Sequence, residues 1–86
     1  MKISIPTPLR SYTGGRGIVE ATGSTLADVL ADLDHRYPGL RFRIITEQDE
    51  IRRHIKIFIN EEPAESLTEK LQESDVVHII CALSGG

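Results

Sequence analysis

The feature that most constrains this chain is one apolar stripe. Leu26, Val29, Leu30, Leu33 and Tyr37 recur at i, i+3, i+4, i+7 and i+11. That spacing places all five on one face of an α-helix. Ser24 or Thr25 can cap the helix, and Asp28 in the first turn suits the positive end of the helix dipole. Pro38-Gly39 ends it. A helix apolar on one side must bury that side on something, and the rest of the chain offers strands.

Lys2-Ile3-Ser4-Ile5 alternates, with Ile3 and Ile5 on one face. Pro6 and Pro8 loosen this strand or place it near an edge. Thr13 to Gly17 is a turn signal, and Ile18-Val19-Glu20-Ala21 follows as a second strand. Residues 2–21 therefore read as a hairpin with a long connection. Ile55, Ile57 and Ile59 alternate with Lys56, Phe58 and Asn60 as a further strand. Glu61-Glu62-Pro63 turns the chain, Leu67 and Leu71 suggest a short helical segment, and Val76 to Ala82 is the last strand. A minor extra strand after Pro63 also fits. In residues 40–53, Phe42, Ile44 and Ile45 suit either a helical turn or an extended piece, and Glu47 to Glu50 reads as a loop.

The order is β-β-α-β-(short helix)-β. One helix across a mixed sheet of four or five strands is an α+β, β-grasp (ubiquitin-like) arrangement, with the first and last strands parallel in the centre. The expected organisation is one domain over residues 1–82 and a flexible tail over 83–86.

Composition narrows the function classes. Ten basic and 13 acidic side chains give a net charge of −3. Nucleic-acid binding needs a basic face, and the arginines here are scattered. No apolar run approaches the roughly 20 residues of a membrane span. A single cysteine forbids an internal disulfide and fits a reducing cytoplasm. His35, His54, His78 and Cys81 lack the spacing of a structural zinc site. Gly14-Gly15-Arg16-Gly17 leads into a strand and lacks the Lys-Ser/Thr ending of a phosphate loop. No nucleophile–base pair stands out, so the residues indicate no enzyme and no cofactor.

The sequence ends Cys81-Ala82-Leu83-Ser84-Gly85-Gly86. Four extended residues reach on the order of 14 Å past the last strand. Glycines without a Cβ can thread a narrow channel that side chains would obstruct. Gly86 is thus expected to present its carboxylate inside another protein, with Gly85, Ser84 and Leu83 as the threading tail. A carboxylate is a poor electrophile; adenylation by ATP would activate it, and a sulfur nucleophile displacing AMP would leave a thiocarboxylate.

Other residues point to docking. If Ile55, Ile57 and Ile59 face the core, Phe58 faces out. If Val77, Ile79 and Cys81 face in, Ile80 faces out. Phe58 and Ile80 then share an apolar patch on the helix-free side of the sheet, either as an interface or packed under residues 40–53. Cys81 reads as a small inward apolar residue. Glu47, Asp49, Glu50, Glu61, Glu62 and Glu65 form either a solvated surface or a steering surface for a basic partner.

The sequence resembles the MoaD/ThiS family of ubiquitin-like sulfur carriers, with the CysO-type carriers of cysteine biosynthesis as its nearest branch. The resemblance is carried by Ser4-Ile5-Pro6-Thr7, Leu9-Arg10, Thr13-Gly14-Gly15, Gly23-Ser24-Thr25-Leu26, Asp32-Leu33, Tyr37, Ile57 to Glu62 and Ser84-Gly85-Gly86. It covers nearly the whole chain apart from residues 40–53. It implies an E1-like adenylating partner of the MoeB/ThiF type and a thiocarboxylate at Gly86. In the CysO-type branch it implies a sulfur-accepting, PLP-dependent cysteine synthase and a JAMM-type peptidase, with all cofactors held by the partners. Sulfur donation for molybdopterin, thiamine or tRNA thiolation, and conjugation as a ubiquitin-like modifier, are the alternatives. A β-grasp binding module with an incidental tail is a further one.

Overall fold

The computed structural model describes residues 1–82. The stripe forms helix α1 (Leu26–Arg36), with Leu26, Val29, Leu30 and Leu33 buried. Thr25 is the cap: its side-chain oxygen accepts the Asp28 N–H at 3.2 Å. Gly23 precedes the cap, where a Cβ would lie 2.7 Å from Val29 N, so only glycine fits beside the first turn. At the other end Gly39, at φ 95°, turns the chain into a second short helix, α2 (Leu40–Ile44). Asp34 fastens this corner, accepting the N–H groups of Gly39 and Arg41.

The helices lie on a five-stranded sheet of order β2-β1-β5-β3-β4. The strands are β1 (Lys2–Ser4), β2 (Ile18–Glu20), β3 (Ile55–Ile59), β4 (Glu62–Pro63) and β5 (Val76–Cys81). As expected, β1 and β5 are parallel neighbours inside the sheet, and the other pairings are antiparallel. Ile3, Val19, Ile55, Ile57, Val77 and Ile79 turn toward α1 and are buried with its stripe. Leu40, Ile44 and Ile45 are fully buried too, so residues 40–45 complete the helix side of the core. Burying each such side chain contributes roughly 1.5–3 kcal/mol.

Three local expectations are corrected. β1 is not an edge strand, and its prolines lie beyond it. Pro6 is the N-cap of a 3-10 helix, Thr7–Thr13, and Pro8 sits in its first turn, where a missing N–H costs nothing. The connection read as a long turn is therefore partly helical. Leu67 and Leu71 do not build a helix. Their segment is a strap whose backbone serves α1: Leu67 O and Glu69 O accept the N–H groups of Ala27 and Leu26, and Leu71 N donates to Ser24 O. The first helical N–H groups have no partner within their own helix, and the strap supplies one while burying Leu71. The extra strand begins before Pro63, not after it. Asn60-Glu61 makes the turn, and Glu62 already pairs with Ile59.

Asn60 adopts φ 56°, a left-handed conformation asparagine tolerates better than most residues. Its side chain accepts the Val76 N–H and donates to Asp75, latching the β3–β4 turn to the start of β5. The Gln72 N–H and then the Asn60 amide hold the Asp75 carboxyl below its usual range. At Asp32 the Thr22 N–H and then Arg36 do the same, joining α1 to the chain after β2.

Asn60→Ala is expected to cost about 1–3 kcal/mol, by loss of these bonds and by backbone strain; urea unfolding measures it. Depressed carboxyl pKa values stabilise the fold above the unfolded-state value of about 3.9. That contribution disappears as pH falls through the lower folded values. Urea midpoints should show Asp75→Asn weakening the protein at pH 7, with the gap to wild type narrowing as pH falls below about 3.9.

Candidate functional site

The face of the sheet away from α1 has no helix on it. Strand alternation turns every second residue to this side, and pairing aligns them in rows. One row crosses all five strands: Ile18, Ser4, His78, Phe58 and Pro63, each beside the next. Ile80 stands beside Lys56, diagonal to Phe58. Phe58 and Ile80 line a shallow depression with Ser4, Asn60 and His78.

The two apolar residues placed outward by alternation are thus brought together. Residues 40–45 do not shelter them, since Leu40, Ile44 and Ile45 are in the core on the opposite side. Ile80 remains 45% exposed. Ile18 extends the row and is 63% exposed. Sequence reasoning missed it, although a buried Val19 between Ile18 and Glu20 carries the signal for an outward isoleucine. The face is therefore mixed: Phe58 and Ile80 form one apolar spot, and Ser4 and His78 separate it from Ile18.

β5 delivers the chain to one end of the sheet. Its last residue, Cys81, pairs with Ile55, and the Ala82 N–H donates to His54 O at 2.7 Å. This bond fixes where the chain leaves the fold. Leu83, Ser84, Gly85 and Gly86, the expected threading tail and sulfur-bearing end, lie outside the described residues.

Cys81 is half-buried against the core, and burial pushes its thiol pKa up, as the inward reading expects. A thiol so placed is a poor nucleophile. The histidines are dispersed: His35 on α1, His54 before β3, His78 on β5. Among the described residues no three histidine, cysteine or acidic side chains gather as a metal site, and no helix is long and apolar enough to cross a membrane.

A model of the ThiS family matches residues 3–86. The chain belongs to the ThiS family. Sulfur carrier protein CysO of Mycobacterium tuberculosis is 35% identical over 98% of this chain and 96% of that protein, and the Mycobacterium bovis protein matches equally. A chain of the Amycolatopsis orientalis BexX/CysO complex superposes with TM-score 0.91 at 33% identity, over 99% of this chain and 98% of that one. Small archaeal modifier protein 1 from Methanosarcina acetivorans superposes with TM-score 0.81 at 30% identity, over 99% and 94%. The fold is therefore the ubiquitin-like β-grasp. As a ThiS-family member the chain is a small carrier protein and not an enzyme, and its kinship with CysO supports a role in carrying sulfur.

Cys81 is expected to react with iodoacetamide at pH 7.5 more slowly than glutathione, since the thiolate is the nucleophile and burial disfavours it. Mass spectrometry over time measures this.

Proposed function

We propose that this chain carries sulfur as a thiocarboxylate on Gly86, most directly for cysteine biosynthesis. The observation that carries the reading is kinship along the whole chain: the family match runs through Gly85 and Gly86, and the CysO relatives are matched over nearly their full length. An E1-like enzyme of the MoeB/ThiF type transfers AMP from ATP to the Gly86 carboxylate and releases pyrophosphate. A sulfur nucleophile then attacks the carbonyl, AMP leaves, and the C–S bond replaces the C–O bond. At a PLP-dependent cysteine synthase the thiocarboxylate sulfur takes the place of the leaving group of an activated serine, the acyl group shifts from sulfur to the amine, and a JAMM-type peptidase hydrolyses the resulting amide to free cysteine and restore the Gly86 carboxylate. This chain supplies the acyl group, the threading residues Leu83, Ser84 and Gly85, and a docking face.

The domain over residues 1–82 holds that face rigid, and residues 83–86 act as the tail. Phe58 and Ile80, with Ile18 further along the same sheet face, form the contact with the adenylating enzyme. An outward aromatic on a rigid sheet makes a good anchor, because its two torsions lose little entropy on binding. The cytoplasm, which keeps both thiols and thiocarboxylates reduced, is the proposed compartment.

The likeness to small archaeal modifier protein 1 favours a second reading, conjugation to lysines through Gly86. It uses the same adenylate, with a lysine amine attacking in place of sulfur.

Incubation with ATP, sulfide and the E1-like enzyme of the same genome should add the mass of one oxygen-to-sulfur exchange, mapped by fragmentation to Gly86. Deleting Gly86 should abolish the gain without unfolding the domain. Phe58→Ser should weaken binding to that enzyme roughly tenfold, as loss of about 1.4 kcal/mol at an interface anchor does. No gain on wild type with an enzyme active on another carrier would refute the sulfur reading. Isopeptide-linked adducts in cells would establish the modifier.

A further inference from the structure

The sheet topology gives the molecule two oppositely charged ends. β1 and β5 run toward the end where the chain exits, and β3 begins there. Arg52, Arg53 and His54 directly precede β3, so they surround the exit. At the far end lie Glu20, Glu61, Glu62, Glu73 and Asp75, with Lys2 and the Met1 ammonium as cations, the latter within 4.0 Å of Glu20 and Glu73. Arg52 and Arg53 thus place two cations next to the exit, although the net charge is −3.

Two of the exit arginines are held in place. The Arg52 guanidinium stacks on Phe42, 4.7 Å from the ring centroid, and its Nε donates to Phe42 O at 2.7 Å. The Arg43 Nε donates to Tyr12 Oη at 2.6 Å, with the guanidinium 5.8 Å from that ring's centroid. Both side chains border one groove with Phe42, Tyr12, His54 and Cys81. Among the described residues neither has a carboxylate within 4.0 Å, unlike Arg36 and Arg41. Each Nε is satisfied by a neutral oxygen, which leaves the terminal nitrogens as oriented forks. That geometry suits a bidentate carboxylate. Phe42, half exposed at 55%, contributes apolar surface beside them.

We propose that this arginine–aromatic groove docks on carboxylates that rim the channel of the protein taking in the tail. The inference rests on the carrier reading and specifies the chemistry of that partner's surface. Cys81 borders the groove and Ala82 is bonded to His54 O, so whatever encloses the tail covers the groove as well. Ile80 on the open face and Cys81 in the groove are consecutive residues of β5 and lie on opposite sides of the sheet beside the exit. The activating nucleotide reacts at the far end of the tail, up to on the order of 14 Å further on. The groove thus meets the rim of the channel, and the nucleotide lies beyond it. A basic exit facing an acidic rim orients the carrier tail-first during encounter.

The test measures association with the E1-like enzyme of the same genome by stopped flow across a salt series, with thiocarboxylate formation followed in parallel. The Arg43→Gln/Arg52→Gln variant should associate about tenfold more slowly at low salt, with a flattened salt dependence. The Arg43→Lys/Arg52→Lys variant keeps the charge and should restore most of the rate. Arg43→Gln alone leaves the Arg52 bonds intact and should slow association about threefold, half the effect on a logarithmic scale. It keeps the test valid should the double variant unfold. Wild type gaining sulfur while the Gln variants associate at the wild-type rate at every salt would overturn the proposal and leave the carrier reading standing. A raised KM for ATP with unchanged association would assign the groove to the nucleotide and also overturn it. Wild type gaining no sulfur would remove the carrier reading and the proposal with it.

Discussion

The parallel pairing of β1 with β5 holds the rest of the structure in place. Ile3 lies beside Val77, so residues from the two halves of the sequence meet in the middle of the sheet. Parallel neighbours need a crossover connection, and here the crossover contains the 3-10 helix, β2, both α-helices, β3 and β4. Contacts so distant along the chain form only after a large loop closes. The core is therefore completed late and all together, and β5 is bonded on both sides, to β1 and to β3. Placing the last strand at the centre also decides the function's geometry. The chain leaves from the most firmly held strand, at an end chosen by strand direction.

That placement puts two different surfaces next to one exit. Alternation on β3 and β5 gives the open face Phe58 and Ile80. The segment before β3 and the short helix α2 give the groove Arg52 and Arg43. The first surface is apolar and contributes by excluding water; the second is charged and acts at longer range. Neither performs chemistry. On the proposed reading, their common effect is to decide which protein receives the tail and in what orientation.

Much of this was legible in the sequence because it follows from periodicity. The period of α1 and the alternation of β1, β3 and β5 set the helix, the parallel centre and the outward direction of Phe58 and Ile80. Elements whose residues serve partners far along the chain were not legible. Leu67 and Leu71 have helical spacing, yet their backbone is drawn to the first turn of α1. Pro6 and Pro8 suggested an edge, whereas they open a 3-10 helix. In residues 40–53 the apolar Ile44 and Ile45 go to the core while Phe42 goes to Arg52, a division no single period describes. The acidic side chains considered for steering include Glu61 and Glu62, which lie at the end away from the exit.

The Ala82–His54 bond and the ladders on both sides of β5 have a mechanical consequence. A partner that draws on the tail pulls along the axis of β5. The hydrogen bonds to β1 and β3 run across that axis, so the load falls on many of them at once, in shear, and they cannot be opened one after another from an end. The domain thus resists traction in the direction in which its tail is handled. If the tail is gripped and released repeatedly, as the carrier reading proposes, resistance along that line of force spares the fold.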